Sequence, residues 1–289
     1  MRNIFLDNQS LIYIFENIDS PDAHYFSQLN KQREITVVLS LENLIEFSKS
    51  GTIEQAIELT QAVLTCVPKW IDSFLDIQKQ EIRKFIYSEY LNKISQEYNP
   101  YKNNFSELFH DEIVSPLDLI VSTLDFVKAA FDPNQKNMFN LKWEQHAGIL
   151  TELQQHRKYN RITKEIEEIT LRNVIVSRLP EKELYQLGFT HDDKFDLLRF
   201  CLKNKNNFYK SCPSLNTERH LSCYRSLNPK RKPQLSDSID LTMSSAVFPY
   251  VDAFITNDGF LYDGLKYVSK NVRSIQTEIF KRIYEYSSC

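Results

Sequence analysis

Glycine is what this chain most lacks, with five among 289 residues. So few exclude the glycine-rich loops that cradle nucleotide phosphates, and neither GxGxxG nor GxxxxGKS/T occurs. The same scarcity leaves little for tight turns and fits a mainly helical chain. Cysteine is thin too: Cys66, Cys201, Cys212, Cys223 and Cys289 are scattered, odd in number and form no CxxC pair. That is a poor disulfide framework and a poor zinc site, so reduced thiols of a cytosolic protein are expected. No apolar run approaches the ~20 residues of a membrane span. No charged leader with an apolar core precedes the first strand, so no signal peptide is expected. The net charge of −3 supplies no global field for a polyanion, and any nucleic-acid contact has to use local basic patches. A soluble, cytoplasmic protein without membrane partners is the expectation.

What is present falls into three zones. Residues 1–55 read as strand, helix, strand, helix: Ile4-Phe5-Leu6 and Ile35–Leu39 are continuous apolar strands, and Leu41, Leu44 and Ile45 mark one face of the second helix. Apolar strands alternating with helices indicate a parallel sheet covered on both faces. The zone 56–232 reads as helical. Trp70, Phe74, Ile77, Ile82, Phe85, Ile86 and Tyr90 recur at helical spacing, as do Leu117, Leu119, Ile120, Leu124, Val127 and Phe131. Further helices are predicted near 141–156, 162–176, 181–187 and 193–204. No strand is read there except Val174–Val176, which finishes a helix equally well. The zone 233–289 returns to α/β, with helix 239–248, strand 252–256, helix 259–268, strand 271–275 and helix 277–286. Neither end alone could make a covered sheet. The prediction is one discontinuous domain, 1–55 plus 233–289, with a parallel sheet of four or five strands in a three-layer α/β/α sandwich, interrupted by a helical insertion over 56–232.

Acids punctuate both ends. Asp7 ends the first strand and Asp258 follows a later one, and parallel sheets gather ligand sites at the carboxyl ends of their strands. Each acid also has an ordinary explanation. Asp7 and Asp258 can cap the helices that follow them. Glu42 sits in a first helical turn where the dipole favours it, whereas Glu46, one turn on, lies beyond that benefit. Asp237 and Asp240 have the spacing of a cap and its third residue. Asp252 and Asp263 read as structural or solvated. Jointly the acids are harder to dismiss, because crowded carboxylates need a cation among them, and oxygen donors suit Mg²⁺ or Mn²⁺.

The set resembles the PIN-domain ribonucleases. IFLDNQSLI (4–12) resembles that family's opening strand and acid, with polar Asn8 and Ser10 just after. VVLSLENLIEF (37–47) resembles its second strand, serine and acidic helix. The family's glutamate lies six residues after the serine, which selects Glu46 over Glu42. DLTMSSAVFPYVDAFITND (240–258) resembles its third acid, helix and fourth-acid strand, and the family's spacing pairs Asp240 with Asp258, with Asp237 in reserve. The resemblance implies that Asp7, Glu46, Asp240 and Asp258 hold one or two Mg²⁺ or Mn²⁺ and activate water against a phosphodiester. It implies an endoribonuclease, RNA ahead of DNA, leaving a 5′-phosphate and a 3′-hydroxyl. It covers only the two ends of the chain, and the insertion is far longer than in compact members.

Around this set, Asn257 is a candidate to orient Asp258 or a water. Arg225, Lys230, Arg231 and Lys232 form the densest basic cluster and lead into Asp237, where they could hold phosphates; a solvated loop between Pro229 and Pro233 accounts for them equally well. His156-Arg157-Lys158-Tyr159 with Arg161 is a second basic cluster, read as a helix surface or a stacking platform. Two other readings stay open: an inactive PIN-like scaffold that binds a protein partner through its helical insertion, and a metal-dependent phosphatase. The latter is disfavoured because Asn8-Gln9, not a DxD pair, follows Asp7.

Overall fold

The computed structural model describes residues 1–48, 51–95, 97–109, 123–132, 164–179, 181–190, 193–226 and 235–286. They form an α/β structure with one mixed, mostly parallel six-stranded sheet and thirteen α-helices. The strands are β1 (Arg2–Leu6), β2 (Ile35–Leu39), β3 (Lys69–Ile71), β4 (Tyr101–Lys102), β5 (Ala253–Ile255) and β6 (Glu278–Phe280), in spatial order β4-β3-β2-β1-β5-β6. Every pairing is parallel except β3 with β4.

Strand β1 lies at the centre, and its side chains alternate between two clusters. Ile4 and Leu6 join Ile35, Val37, Leu39, Ala253 and Ile255, while Phe5 joins Val38, Phe254 and Ile279. That is the period of two expected of a strand covered on both sides. Helices α1 (Asn8–Glu16), α2 (Pro21–Lys31), α3 (Leu41–Phe47) and α4 (Ile53–Leu64) feed the first cluster through Leu11, Phe26, Leu44 and Val63. Helices α5 (Phe74–Phe85), α11 (Pro213–Ser226), α12 (Leu235–Val247) and α13 (Gly259–Asn271) feed the second through Ile77, Leu221, Met243 and Leu265. The Phe5 ring meets Phe254 at 4.9 Å; burying one such side chain contributes about 2 kcal/mol.

A third cluster joins the far half of α5 to the middle helices. Ile82 and Phe85 pack with Leu171 and Ile175 of α7 (Lys164–Arg178), Leu197 and Cys201 of α9 (Asp193–Lys203), Phe208 of α10 (Lys205–Ser211) and Leu215. Helix α6 (Thr123–Ala130) takes up the described part of the apolar run 117–131, and α8 (Glu181–Gln186) lies close to its predicted span. The helix predicted at 141–156 falls outside the described residues. Val174–Val176 belongs to α7 and is no strand.

Two readings of the sequence are corrected. The middle zone does supply strands, β3 and β4, so the sheet draws on residues beyond 55 and gains an antiparallel edge. Trp70 pairs with Lys102 in that edge. Strands of three and two residues are too short to show a period of two, and the spacing of Trp70 to Phe74 and Ile77 mimics a continuation of the α5 face. Near the C-terminus, α13 runs through to Asn271, the strand is 278–280 rather than 271–275, and no α-helix forms over 277–286. Ile275, Ile279 and Ile283 stand four apart like a helical face and all are buried. Tertiary pairing overrides that spacing: Ile279 registers with Phe254, and the Thr277 hydroxyl donates to Phe248 O at 2.6 Å and Val251 O at 2.8 Å, fixing the strand's entry. Only a short 3-10 turn, Ile283–Glu285, follows. Among the described residues, no helix is long and apolar enough to cross a membrane.

Candidate carboxylate site

The carboxyl ends of β1 and β5 lie side by side, and pairing runs one step past β1, where Asp7 N donates to Ile255 O at 2.9 Å. Asp7 is 4 % exposed. Its Oδ1 accepts from Ser10 N at 2.7 Å, capping α1, and its Oδ2 accepts from the Thr256 hydroxyl. The Thr256 Oγ1 in turn accepts from Asp258 N at 3.2 Å. Asp258 caps α13 through Leu261 N at 2.7 Å. Both acids are therefore helix caps, the ordinary role of an Asp ahead of a helix, and one threonine ties them together. Burial raises the Asp7 carboxyl above its usual range; the hydrogen bonds from Ser10 and Thr256 oppose that, and the charge of Asp258 adds to it.

Helix α12 brings the third acid. Asp240 is pushed up to about 7, first by burial, with the Arg225 guanidinium opposing and Asp258, Asp237 and Asp7 each adding repulsion. The charges of Asp7 and Asp258 thus reach Asp240, and that of Asp258 reaches Asp7. The Asp240 side chain keeps 21 % of its surface exposed, enough for an ion or solvent to reach it.

Arg225, at the end of α11, stands among these acids as a buried cation rather than at the protein surface. Its side chain is 4 % exposed, 3.4 Å from Asp237 Oδ1 and 3.8 Å from Asp240 Oδ2, and it also donates to the Asp237 carbonyl. Asp237, 2 % exposed, is the inner member of the pair. Lys230, Arg231 and Lys232 lie outside the described residues, as does the cluster 156–161.

Glu46 joins from the second strand's side. Asn8, buried beside Asp7, donates its amide to Glu46 Oε2 and accepts from Asn43 Nδ2 at 2.7 Å. Asn43 is itself fixed as the third residue of the α3 capping box, accepting from Ser40 N at 2.9 Å. Glu42 lies apart in the first turn of α3; burial raises its pKa, and its own backbone N–H and the Ser40 hydroxyl oppose the rise. Asn257 is exposed at the rim, next to Asp258. Asp252 is structural, accepting from Asn3 N at 2.7 Å.

Two residues carry more of this geometry than the sequence reading assigned them, Thr256 and Asn43. Thr256 is fully buried at a strand end between two acids, and Asn43 stands three residues after a cap serine. Those positions were the available signals. Among the described residues, no three acid, His or Cys side chains stand together as a ready-made metal-ligand set. The oxygen donors of the arrangement are nonetheless of the kind that suits a hard divalent cation. Compared with protein-family models, curated proteins and solved structures, the chain finds no match in any of the three.

Proposed function

We propose that this chain is a PIN-like, metal-dependent nuclease that hydrolyses phosphodiester bonds, with RNA as its substrate class. One observation carries the reading. Three acids remote in sequence, Asp7, Asp240 and Asp258, bear on one sheet edge: Thr256 links the first and the last, and Asp240, 3.8 Å from the Arg225 guanidinium, is raised to about 7 first by burial and then by the charges of Asp258, Asp237 and Asp7. A like-charge cluster at such an edge is where a cation site is expected. The two apolar clusters fed by alternate strand residues support the three-layer arrangement of the core.

Asp7, Asp240 and Asp258 would hold Mg²⁺ or Mn²⁺, with Glu46 placed beside them by Asn8. When bound, such an ion supplies the Lewis acidity that makes water a nucleophile near neutral pH. The chain's own residues do the rest. Thr256 holds Asp7 and Asp258 in one orientation, Asn43 and Asn8 aim Glu46, and Arg225 balances the acids when no other cation is present. Asp240, 3.8 Å from the Arg225 guanidinium, would be among the residues to hold the ion and would do so as the carboxylate.

The test is cleavage of single-stranded RNA by purified protein with and without Mn²⁺, alongside calorimetry of Mn²⁺ binding. The reading expects ion-dependent cleavage and binding that Asp7→Asn and Asp258→Asn both abolish. Equal binding by wild type and both variants would leave an inactive scaffold. That second reading draws on Arg225 serving as an internal counter-ion and on the missing ready-made ligand set among the described residues. Release of inorganic phosphate from mononucleotides, with RNA left intact, would mark a phosphatase.

A further inference from the structure

The sheet edge that carries the acids continues onto cations. Strand β6 ends at Phe280, beside β5, and Lys281 and Arg282 follow it. With Gln9, Ser10, Tyr13 and Asn257 they line a cavity. Two of these residues border the acid site directly, since Ser10 N donates to Asp7 Oδ1 and Asn257 lies between Thr256 and Asp258.

The two cations differ in what they are free to do. Arg282 is engaged: its NH1 meets Asp22 Oδ2 at 3.0 Å and its guanidinium lies 5.2 Å from the Tyr13 ring centroid. Lys281 is exposed and forms no ion pair among the described residues; its ammonium sits 5.0 Å from the ring centroid of Tyr262. Lys266, one turn after Tyr262 on α13, brings a second ammonium to the same ring at 5.3 Å. Of the acids on this side, Asp22 lines the cavity and pairs with Arg282, and Glu285 accepts from the Lys281 backbone N–H at 3.1 Å. Neither lysine forms an ion pair among the described residues, and two positive charges against one ring favour an anion beside them. The exposed amides of Gln9 and Asn257 add neutral donors.

Resting on the nuclease reading, we propose that Lys281 and Lys266, with the amides of Gln9 and Asn257, form a subsite for a backbone phosphate of single-stranded RNA, next to the phosphate that is cut. Neighbouring strands lie about 4.8 Å apart, so a polynucleotide crossing the edge from β1 toward β6 meets the acids and then the lysines. Phosphate contacts of this kind position the strand without reading its bases.

Binding tests this apart from cleavage. In an Asp7→Asn background, where asparagine still caps α1, a fluorescein-labelled oligoribonucleotide is titrated by anisotropy from about 50 to 200 mM salt. Lys281→Gln is expected to weaken binding and to flatten the log–log salt slope by about 0.7, the share of one single-strand phosphate contact. Lys266→Gln is expected to act in the same direction, and Lys281→Arg to keep the slope. Unchanged affinity and slope in both Gln variants, with the background still binding RNA, would overturn the subsite and leave the nuclease reading standing. No RNA binding by the background, together with no cleavage by wild type, would remove both.

Discussion

Two carboxyl groups of this protein are both raised chiefly by burial and differ in what surrounds them. Glu81, on α5, is 3 % exposed and pushed up to about 8 by burial, with the hydroxyl of Tyr250 and the backbone N–H groups of Ser214 and Leu215 opposing the rise. Ser214 N lies 2.8 Å from its Oε1 and Leu215 N 3.5 Å from its Oε2. It thus closes the start of α11, where Cys212 precedes Pro213 and offers no oxygen of its own. No other acid contributes to its shift. Asp240 is raised to a similar level by burial, yet three carboxylates push on it and a single guanidinium answers them. Burial alone therefore marks neither centre as functional. What separates them is company: donors satisfy Glu81, whereas Asp240 is crowded by its own kind and keeps a face open.

The largest effect should come from removing the guanidinium. Arg225→Met leaves Asp237 buried without its cation, a loss of about 3–5 kcal/mol by chemical denaturation. Adding Asp237→Asn should return much of it, because the stranded charge is gone. If Arg225→Met alone melts like wild type, the acid centre is no more charge-stressed than the Glu81 centre, and the contrast collapses.

Next is activity. Asp240→Asn should lower Mn²⁺-dependent RNA cleavage by at least about 100-fold while stability holds or rises, since a raised carboxyl is replaced by a neutral group. Glu81→Gln, read by the same assay, should leave cleavage within about twofold. Comparable losses in the two variants would show that both act through folding.

How far these centres were legible in the sequence follows from the same chemistry. Strands β1 and β2 announce themselves through the apolar runs Ile4-Phe5-Leu6 and Ile35–Leu39, and the acids behind β1 and β5 point to one edge, so the meeting of Asp7 and Asp258, which Thr256 links, could be anticipated. Glu81 could not, because a glutamate within an amphipathic helix looks solvated until a distant helix start lands on it. Arg225 was hidden too: it opens a run of basic residues that reads as a loop, whereas Arg225 itself lies in the last turn of α11 with its side chain buried. Short polar residues such as Thr256 and Asn43 have so many ordinary roles at strand ends and caps that their placement appears only in three dimensions.

A smaller effect concerns pH. Glu81 is held near 8 in the fold and near its ordinary value of 4.5 when unfolded, so between those limits the native state keeps a proton that the unfolded state has released. Stability should fall as pH rises through that window and level off above it. Asp240 acts with the same sign between 3.8 and about 7. The gap between thermal midpoints taken at about pH 5 and pH 8 should narrow in Glu81→Gln to the share left by Asp240, each kcal/mol being worth roughly 2–4 °C in a chain of this size. An undiminished fall in that variant would mean that Glu81 is already charged in the fold.

The smallest contrast lies within α3, where Glu42 and Glu46 stand one turn apart and only Glu46 is tied to the acid edge. Asn8 donates to Glu46 and is itself held by Asn43, so Glu46→Gln keeps an acceptor for that amide and removes only the charge. Cleavage should drop by roughly 10-fold, the scale of a change that alters the field around an ion without removing its nearest ligands, with little change in melting. Glu42 has only its helix start to serve, so Glu42→Gln should cost no more than about 1 kcal/mol and leave cleavage alone. Matching losses from both substitutions would mean that α3 contributes a general negative field to the edge, with no single oxygen singled out by Asn8.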